Sequence, residues 1–96
     1  MSLTGKQKRY LRGLGHHLKP MVHVGQNGVT AGLVHKVDQE LKNHELIKVK
    51  LGGGADGTTD QLVEALAPLG AEHVQSVGRV VLVYRARDKD PEIELP

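Results

Sequence analysis

The sequence has 96 residues but no cysteine, no phenylalanine and no tryptophan, and its only tyrosines are Tyr10 and Tyr84. Without cysteine, neither a disulfide framework nor a thiolate metal site can form, which fits a protein of the reducing cytoplasm. Because aromatic residues are scarce, the core must be built from leucine, valine, isoleucine and alanine. For the same reason, binding to a nucleic acid should depend on its backbone and shape more than on base stacking.

Long apolar segments are lacking as well. No run reaches the length of about eighteen apolar residues that a membrane-spanning helix requires. The N-terminus carries no apolar segment of the kind found in secretory signals. We therefore expect a single domain that makes no contact with a membrane.

Acidic residues are missing from the first third of the chain, where none precedes Asp38. Residues 1–50 contain nine lysines and arginines against three acids, whereas residues 51–96 contain four against eight. The first half is thus strongly basic and the second half acidic. This asymmetry points to a polyanionic partner for the first half, although solvated surface charge would give the same composition.

The first predicted element is a helix that opens with a capping box formed by Thr4 and Gln7. Apolar residues follow at helical spacing and should form one side of the helix. Lys19-Pro20 should end it, because a residue that precedes proline avoids helical geometry. The expected apolar side consists of Tyr10, Leu11, Leu14 and Leu18.

Hydrophobic periodicity and turn residues predict the other elements. They are strands at Met21–Val24, Leu46–Leu51, His73–Val77 and Arg79–Arg85, a helix from Thr30 to about His44, and a helix capped by Thr58 or Thr59 that ends at Gly70. Strand–helix–strand alternation implies parallel strands, and the last two strands should form an antiparallel hairpin. The predicted fold class is a two-layer α/β (α+β) sandwich, α-β-α-β-α-β-β, with a four-stranded mixed sheet.

Two segments lie outside this pattern. The glycine-rich stretch Gly52–Gly57 should be a flexible linker. The charged, proline-terminated residues 86–96 should form an extended C-terminal tail that is mobile at its end.

A Gly-x-x-Gly loop, Gly25-Gln26-Asn27-Gly28, is the sharpest local motif. It follows a predicted strand and precedes a predicted helix. Glycines let the backbone bend and approach a ligand without a Cβ atom in the way. The helix N-terminus beyond it exposes unpaired N–H groups that attract anions such as phosphate. The alternative interpretation is that these residues form an ordinary turn. A nucleotide-binding loop is excluded, because the segment lacks the glycine and lysine pattern of such loops.

Basic residues on nearby elements strengthen the phosphate interpretation. No acid lies among the basic residues of the first helix, so no intrahelical ion pairs offset their repulsion. The predicted strand at Leu46–Leu51 has an apolar face and a basic face. The predicted RNA-binding residues are Lys6, Lys8, Arg9, Arg12, His16, Lys19, Gly25, Gln26, Asn27, Gly28, Lys48 and Lys50.

Six histidines raise the question of a metal site or an active site. They are scattered over separate elements, and no His-x-x-x-His pair is present. No nucleophile–base arrangement and no paired carboxylates are visible. We expect no enzyme activity, no metal, no cofactor and no small-molecule substrate, which leaves a metal-dependent hydrolase as a remote alternative.

Several stretches of the sequence resemble the CRM (chloroplast RNA splicing and ribosome maturation) domain, and the bacterial stand-alone YhbY-type proteins in particular. The resemblance covers nearly the whole chain. It is carried by the Gly25–Gly28 loop and by His44-Glu45-Leu46-Ile47-Lys48-Val49-Lys50. Further matching stretches are Leu3–Gln7, Leu11–Pro20, Val29-Thr30, Val74–Arg79 and Val83–Arg85.

The resemblance implies a fold similar to the C-terminal domain of translation initiation factor three. It also implies binding of structured RNA, with large-subunit ribosomal RNA in pre-50S particles as the partner and ribosome assembly as the process. One departure is Gly52–Gly57, where family members usually carry a charged segment. The alternative function is a protein-interaction module that docks on a ribosomal protein through its sheet.

Overall fold

The computed structural model describes residues 3–52 and 58–96. Its helices and strands follow the predicted order. The helices are α1 (Gly5–Gly15), α2 (Ala31–His44) and α3 (Thr58–Leu66), with a short 3-10 turn at Ala67–Leu69, and the strands are β1 (Pro20–Val24), β2 (Leu46–Leu51), β3 (Glu72–Val77) and β4 (Val80–Tyr84). The strands form one sheet in the order β1-β2-β4-β3. β1 and β2 are parallel, and the other neighbours are antiparallel. The predicted α+β fold with a four-stranded mixed sheet is confirmed.

Local sequence signals fix the ends of the helices as expected. At the start of α1, the Gln7 N–H donates to Thr4 Oγ1 over 3.1 Å and the Thr4 N–H donates to Gln7 Oε1 over 3.0 Å, which is the predicted capping box. Thr30 caps α2 by accepting from the Leu33 N–H over 3.1 Å. Gly70 ends the 3-10 turn with a φ of 78°, a conformation that glycine adopts without strain.

Apolar side chains lie on both faces of the sheet. Ile47, Val49 and Leu51 alternate along β2 and pack with α2 and α3 in the larger cluster. Leu46 points to the opposite face, where it packs in a smaller cluster with Leu11 of α1. Helix α1 therefore adds a partial layer on the second face of the sheet.

The buried side of α1 differs from the predicted side. Leu11 and Gly15 are buried, whereas Tyr10 and Leu14 are 43% and 40% exposed. A Cβ atom at Gly15 would lie 2.8 Å from the methyl groups of Leu82, so any larger residue would force the Leu82 side chain to shift. The buried stripe is consequently turned by about 60° from the predicted one. The helix also ends at Gly15, before the predicted stop at Lys19-Pro20.

The C-terminal tail forms neither helix nor strand, and it is clamped to the fold by Glu45, which is fully buried. Glu45 Oε2 accepts the Arg87 N–H over 2.8 Å, and Oε1 accepts the N–H groups of Glu92 and Ile93 over 2.6 and 2.9 Å. Ile93 and Leu95 pack against the smaller cluster. The tail thus packs back onto the sheet, and the mobility expected at its end stays a prediction.

The predicted flexible linker lies mostly outside the described residues, which resume at Thr58. Thr58 and Thr59, the two candidates for the predicted cap, fall within α3, and the residue before the helix is not described, so the cap stays a prediction. The first residue of the linker, Gly52, is held in place. The Gly52 N–H donates to the Val24 carbonyl over 2.9 Å, and Arg79 Nη1 donates to the Gly52 carbonyl over 2.9 Å. A Cβ atom here would lie 2.6 Å from the Val24 oxygen, so β2 can leave the sheet this way only at a glycine.

Candidate functional site

The Gly25–Gly28 loop is a tight turn at the end of β1. The Gly28 N–H donates to the Gly25 carbonyl over 3.0 Å, and Gly28 has a φ of 71°. Gly25, Gln26 and Asn27 are exposed. A Cβ atom on either glycine would meet no atom of residues 3–52 and 58–96 within 4 Å, so this part of the chain leaves the loop backbone uncovered.

Helix α2 begins shortly after the loop. Its N-cap is Thr30, only two residues beyond Gly28. The first N–H groups of a helix have no partner within the helix, and the aligned peptide dipoles give this end a partial positive charge. The loop therefore leads directly into a region of backbone that favours an anion.

Two rows of side chains cross the sheet on the face that carries α1, and the helix covers them only in part. The strand register places the members of each row side by side. The first row runs from edge to edge through Pro20, Lys48, Leu82 and Gln75. The second row, nearer the Gly25–Gly28 loop, runs through His23, Lys50, Val80 and Val77. Neighbouring residues within a row are about 5 Å apart, and the rows are about 7 Å apart.

A groove of about 290 Å³ lies between the last turn of α1 and these rows. Its floor is apolar and its rim is basic, and none of the residues that line it is acidic. The lining residues are Arg12, Gly15 and His16 of α1, the whole first row, and Val77 and Val80 of the second row. We call this space the groove.

The basic residues predicted on α1 divide into two sets. Arg12 and His16 line the groove, and Lys8 precedes Arg12 by one helical turn. Lys6 and Arg9 are exposed but lie about 140–160° around the helix from the buried stripe, so they do not face the sheet. The fold therefore brings only part of the predicted basic helix to the groove.

The other predicted basic residues lie on the β1 and β2 side of the groove. Lys19 is exposed and directly precedes Pro20 of the first row. Lys48 is half-buried in the groove. Lys50 is exposed, two residues closer to the loop, and pairs with His23 across the strands. Lys50 and His23 thus connect the groove to the Gly25–Gly28 loop along one face of the sheet.

The predicted cations share one further property. Within residues 3–52 and 58–96 they form no ion pair with an acid; they are Lys6, Lys8, Arg9, Arg12, Lys19, Lys48 and Lys50. Cations elsewhere in the fold do form such pairs, for example Lys36 with Glu40 at 3.4 Å and Arg85 with Asp38 at 2.7 Å. Uncompensated cations repel one another, so the grouping of Arg12, Lys48 and Lys50 on the groove side favours an anionic ligand.

The site residues predicted from the sequence do not include every member of this surface. His23, Gln75 and Val77 stand in the two rows only because the strand register places them there. Val77 is 62% exposed although it is apolar. No sequence signal marks them, because periodicity gives the face of a residue within its own strand but not its neighbour on another strand.

The histidines do not assemble into a metal site in the part of the chain that the structure describes. No three residues of the ligating types His, Cys, Asp and Glu lie close enough there to hold an ion. The expected lack of a cofactor and of catalysis stays a prediction. Residues 3–52 and 58–96 also contain no helix with the length and apolarity needed to cross a bilayer.

Comparison with known proteins gives consistent matches over the whole chain. The family described as CRS1 / YhbY (CRM) domain matches residues 3–85. A Haemophilus influenzae protein named "RNA-binding protein" is 41% identical over 97 residues, covering 99% of this chain and 96% of its own length. The Bacillus subtilis protein named "Probable RNA-binding protein YqeI" is 36% identical over 95 residues, covering 98% of this chain and 99% of its own.

A solved structure has the same fold. The solution structure of a candidate RNA-binding protein from Staphylococcus aureus superimposes with a TM-score of 0.81 at 39% sequence identity. The match covers 98% of this chain and 99% of the other.

Proposed function

The chain belongs to the CRS1 / YhbY (CRM) domain family, and we propose that it is a non-catalytic RNA-binding protein that acts on precursors of the large ribosomal subunit in the cytoplasm. RNA binding is supported by the names of its relatives in Haemophilus influenzae and Bacillus subtilis. The ribosomal role is supported by the resemblance of its sequence to the stand-alone YhbY-type proteins.

The observation that carries the proposal is the set of unpaired cations beside an open glycine loop. Arg12, Lys48 and Lys50 have no acidic partner among the described residues, and they lie on the face of the sheet that leads to the loop. Phosphate groups would supply the missing negative charge. Freed backbone N–H groups of the loop and of the α2 N-terminus would bind further phosphates.

Loop and cations have separate tasks in this proposal. The loop lets the RNA backbone come close, because neither glycine has a side chain and no atom of the described residues lies within 4 Å of where a Cβ atom would stand. The cations provide charge attraction that does not depend on sequence and that weakens as salt rises. Lys6 and Arg9, which face away from the groove, would reach only a large RNA that wraps around α1.

Fractionation of growing cells tests the ribosomal part. A tagged form of the protein should sediment with pre-50S particles in sucrose gradients. The variant Arg12→Gln/Lys48→Gln should move to the top of the gradient, and the control Lys36→Gln/Lys42→Gln, which removes the same formal charge from α2, should not. Absence of the wild-type protein from every pre-50S fraction would contradict the assignment.

One observation favours a second candidate, docking on a ribosomal protein through the sheet. Val77 leaves an apolar surface 62% exposed at the edge of the sheet. Nuclease treatment of the gradient fractions separates the two candidates. RNA binding predicts that the protein is released by nuclease, whereas a protein partner would stay bound after the RNA is digested.

A further inference from the structure

We propose that the groove binds one unpaired nucleotide of the RNA, with its base on the apolar floor and its neighbouring phosphates on the basic rim. This inference rests on the proposed RNA binding and adds the kind of RNA that is preferred. Phosphate contacts alone would hold a regular duplex equally well, whereas the groove offers a place for a base that has left a helix.

The floor has the chemistry that a base requires. Val77 and Val80 pair across β3 and β4, and Leu82, 3% exposed beneath Gly15, is the next residue of β4 on the same face, so the three form an apolar strip on the floor. The two faces of a nucleobase are apolar and would cover this strip. Aliphatic side chains form the floor in place of the aromatic rings that many RNA-binding sheets use. Neither tyrosine lines the groove, and the ring that does so is the imidazole of His16 on its helix side.

The size of the groove limits the occupant. Its volume of about 290 Å³ lies at the lower end of the range of about 300–1,000 Å³ found for small-molecule sites. One base with part of its sugar fits such a space, and a base pair within a duplex does not. A bulged or looped nucleotide is therefore the expected occupant.

Gln75 supplies groups that can bond the edge of the base. It stands at one end of the first row and lines the groove. Its side-chain amide forms no hydrogen bond within the described part of the chain. An amide offers two donor hydrogens and one acceptor oxygen, which suit the polar edge of an unpaired base.

The rim supplies the charge. Arg12 stands on the helix side of the groove and Lys48 on the strand side, so cations flank the floor on both sides. Because no acid lines the groove, it would repel a basic peptide and attract the phosphates on either side of an inserted nucleotide. Charge complementarity thus favours RNA as the occupant.

Three RNA hairpins with the same stem test this proposal: one fully paired, one with a single bulged nucleotide, and one with an abasic bulge. The abasic hairpin keeps the backbone distortion but lacks the base. We expect the wild-type protein to bind the bulged hairpin about tenfold more tightly than the abasic one. Equal affinity for these two hairpins would overturn the proposal.

The variant Gln75→Ala/Val77→Ala should reduce this preference to less than about twofold. Both residues are at the surface, so the variant should keep its fold, which its urea midpoint checks. The matched control is Gln39→Ala/Leu14→Ala, which changes the same kinds of side chain outside the groove and should keep the tenfold preference. An equal loss in both variants would overturn the assignment to the groove.

The outcomes separate this inference from the proposed function. Failure to bind any hairpin would defeat RNA binding itself. Equal, salt-sensitive binding of all three would leave RNA binding intact and defeat only the groove proposal. Amide NMR chemical shifts provide the second readout. The amides of residues 75–82 should shift more with the bulged hairpin than with the abasic one. If these amides shifted with an acidic peptide but not with the bulged hairpin, the proposal would be overturned.

Discussion

The two ends of the sheet use charged residues in opposite ways. Where β2 begins and β4 ends, Asp38 accepts from Arg85 over 2.7 Å, and Glu45 accepts three backbone N–H groups. We call this end the clamp. Toward the other end of β2, Lys48 and Lys50 have no acidic partner in the described part of the chain.

The pKa values of the acids follow from this arrangement. The hydrogen bond from Arg85 holds the pKa of Asp38 below its usual value, although partial burial opposes it. Burial raises the pKa of Glu45. The hydrogen bonds that it accepts from the backbone N–H groups of Arg87, Ile93 and Glu92 together lower this pKa by more than burial raises it, so the net shift is downward. Both acids are therefore ionised at neutral pH and stabilise the fold.

The comparison teaches where the chain uses charge for stability and where it leaves charge for a ligand. At the clamp, each buried or half-buried charge has a partner inside the protein. Along the groove, the cations stay in contact with solvent, where they add repulsion and little stability. Substitutions at the clamp should thus change folding, and substitutions along the groove should change binding.

The largest effect is expected for Glu45→Ala. It leaves three backbone N–H groups of the tail without their acceptor, and the free energy of unfolding should fall by about 3 kcal/mol. Urea denaturation measures this change. Glu64→Ala, an exposed residue of α3, is the control and should stay within about 0.5 kcal/mol of wild type. A loss below about 1 kcal/mol for Glu45→Ala would show that the clamp is not needed.

The next effect concerns binding. Arg12→Gln/Lys48→Gln should weaken RNA affinity by about 30-fold at low salt and reduce the slope of log affinity against log salt by about 1.5. Folding stability should not change, because neither cation forms an ion pair with a described acid. The control variant Lys36→Gln/Lys42→Gln has the same formal charge as the groove variant and should bind RNA almost as tightly as wild type. Equal losses in the two variants would mean that only net charge matters.

Gly28→Ala should destabilise the fold by about 1 kcal/mol, because a residue with a Cβ atom is strained at its φ of 71°. Asparagine tolerates this conformation better, so Gly28→Asn should cost less. Thermal or urea unfolding gives the order of stability of the wild type, Gly28→Asn and Gly28→Ala. If alanine were as stable as glycine, the turn would have to relax away from its left-handed conformation.

Gly25→Ala should leave stability unchanged, since its Cβ atom would meet no atom within 4 Å in the described part of the chain. We expect RNA affinity to fall by about threefold, because the added methyl group would stand between the loop and the RNA backbone. Titration with a labelled hairpin measures this. An affinity equal to that of wild type would show that the RNA does not approach the loop closely at Gly25.

The smallest effect is the response to mild acid. The pKa of Glu45 in the folded protein lies below its usual value of 4.5. Its contribution to stability is therefore complete well above pH 4.5 and is lost as the pH falls through the lower pKa of the folded protein. Between pH 7 and about pH 4.5 the loss should be a few tenths of a kcal/mol, and Glu45→Gln should abolish this part of the pH dependence.

Much of the fold could be predicted from local signals. The capping box at Thr4, the cap at Thr30 and the left-handed glycine Gly70 depend on residues a few positions apart, and all three are found as expected. The apolar alternation of β2 is also found. Such features are visible in a sequence because their energies arise between neighbours along the chain.

The buried side of α1 could not be predicted in the same way. Leu11 is buried as expected, but Leu14 is not, and Gly15 is buried because its lack of a side chain lets Leu82 pack against it. The role of Glu45 was equally hidden, since its partners lie more than forty residues away. Both depend on contacts between elements that are distant in sequence.

The sequence by itself determined which elements form, where the open glycine loop stands and which half of the chain is basic. Tertiary structure decided which cations share a surface, because strand register sets Lys48 beside Leu82 and Lys50 beside Val80. It also decided that a groove exists, since α1 covers only part of the sheet. The reason is physical: periodicity along one strand gives the face of each residue, but only hydrogen bonding between strands fixes which residues become neighbours.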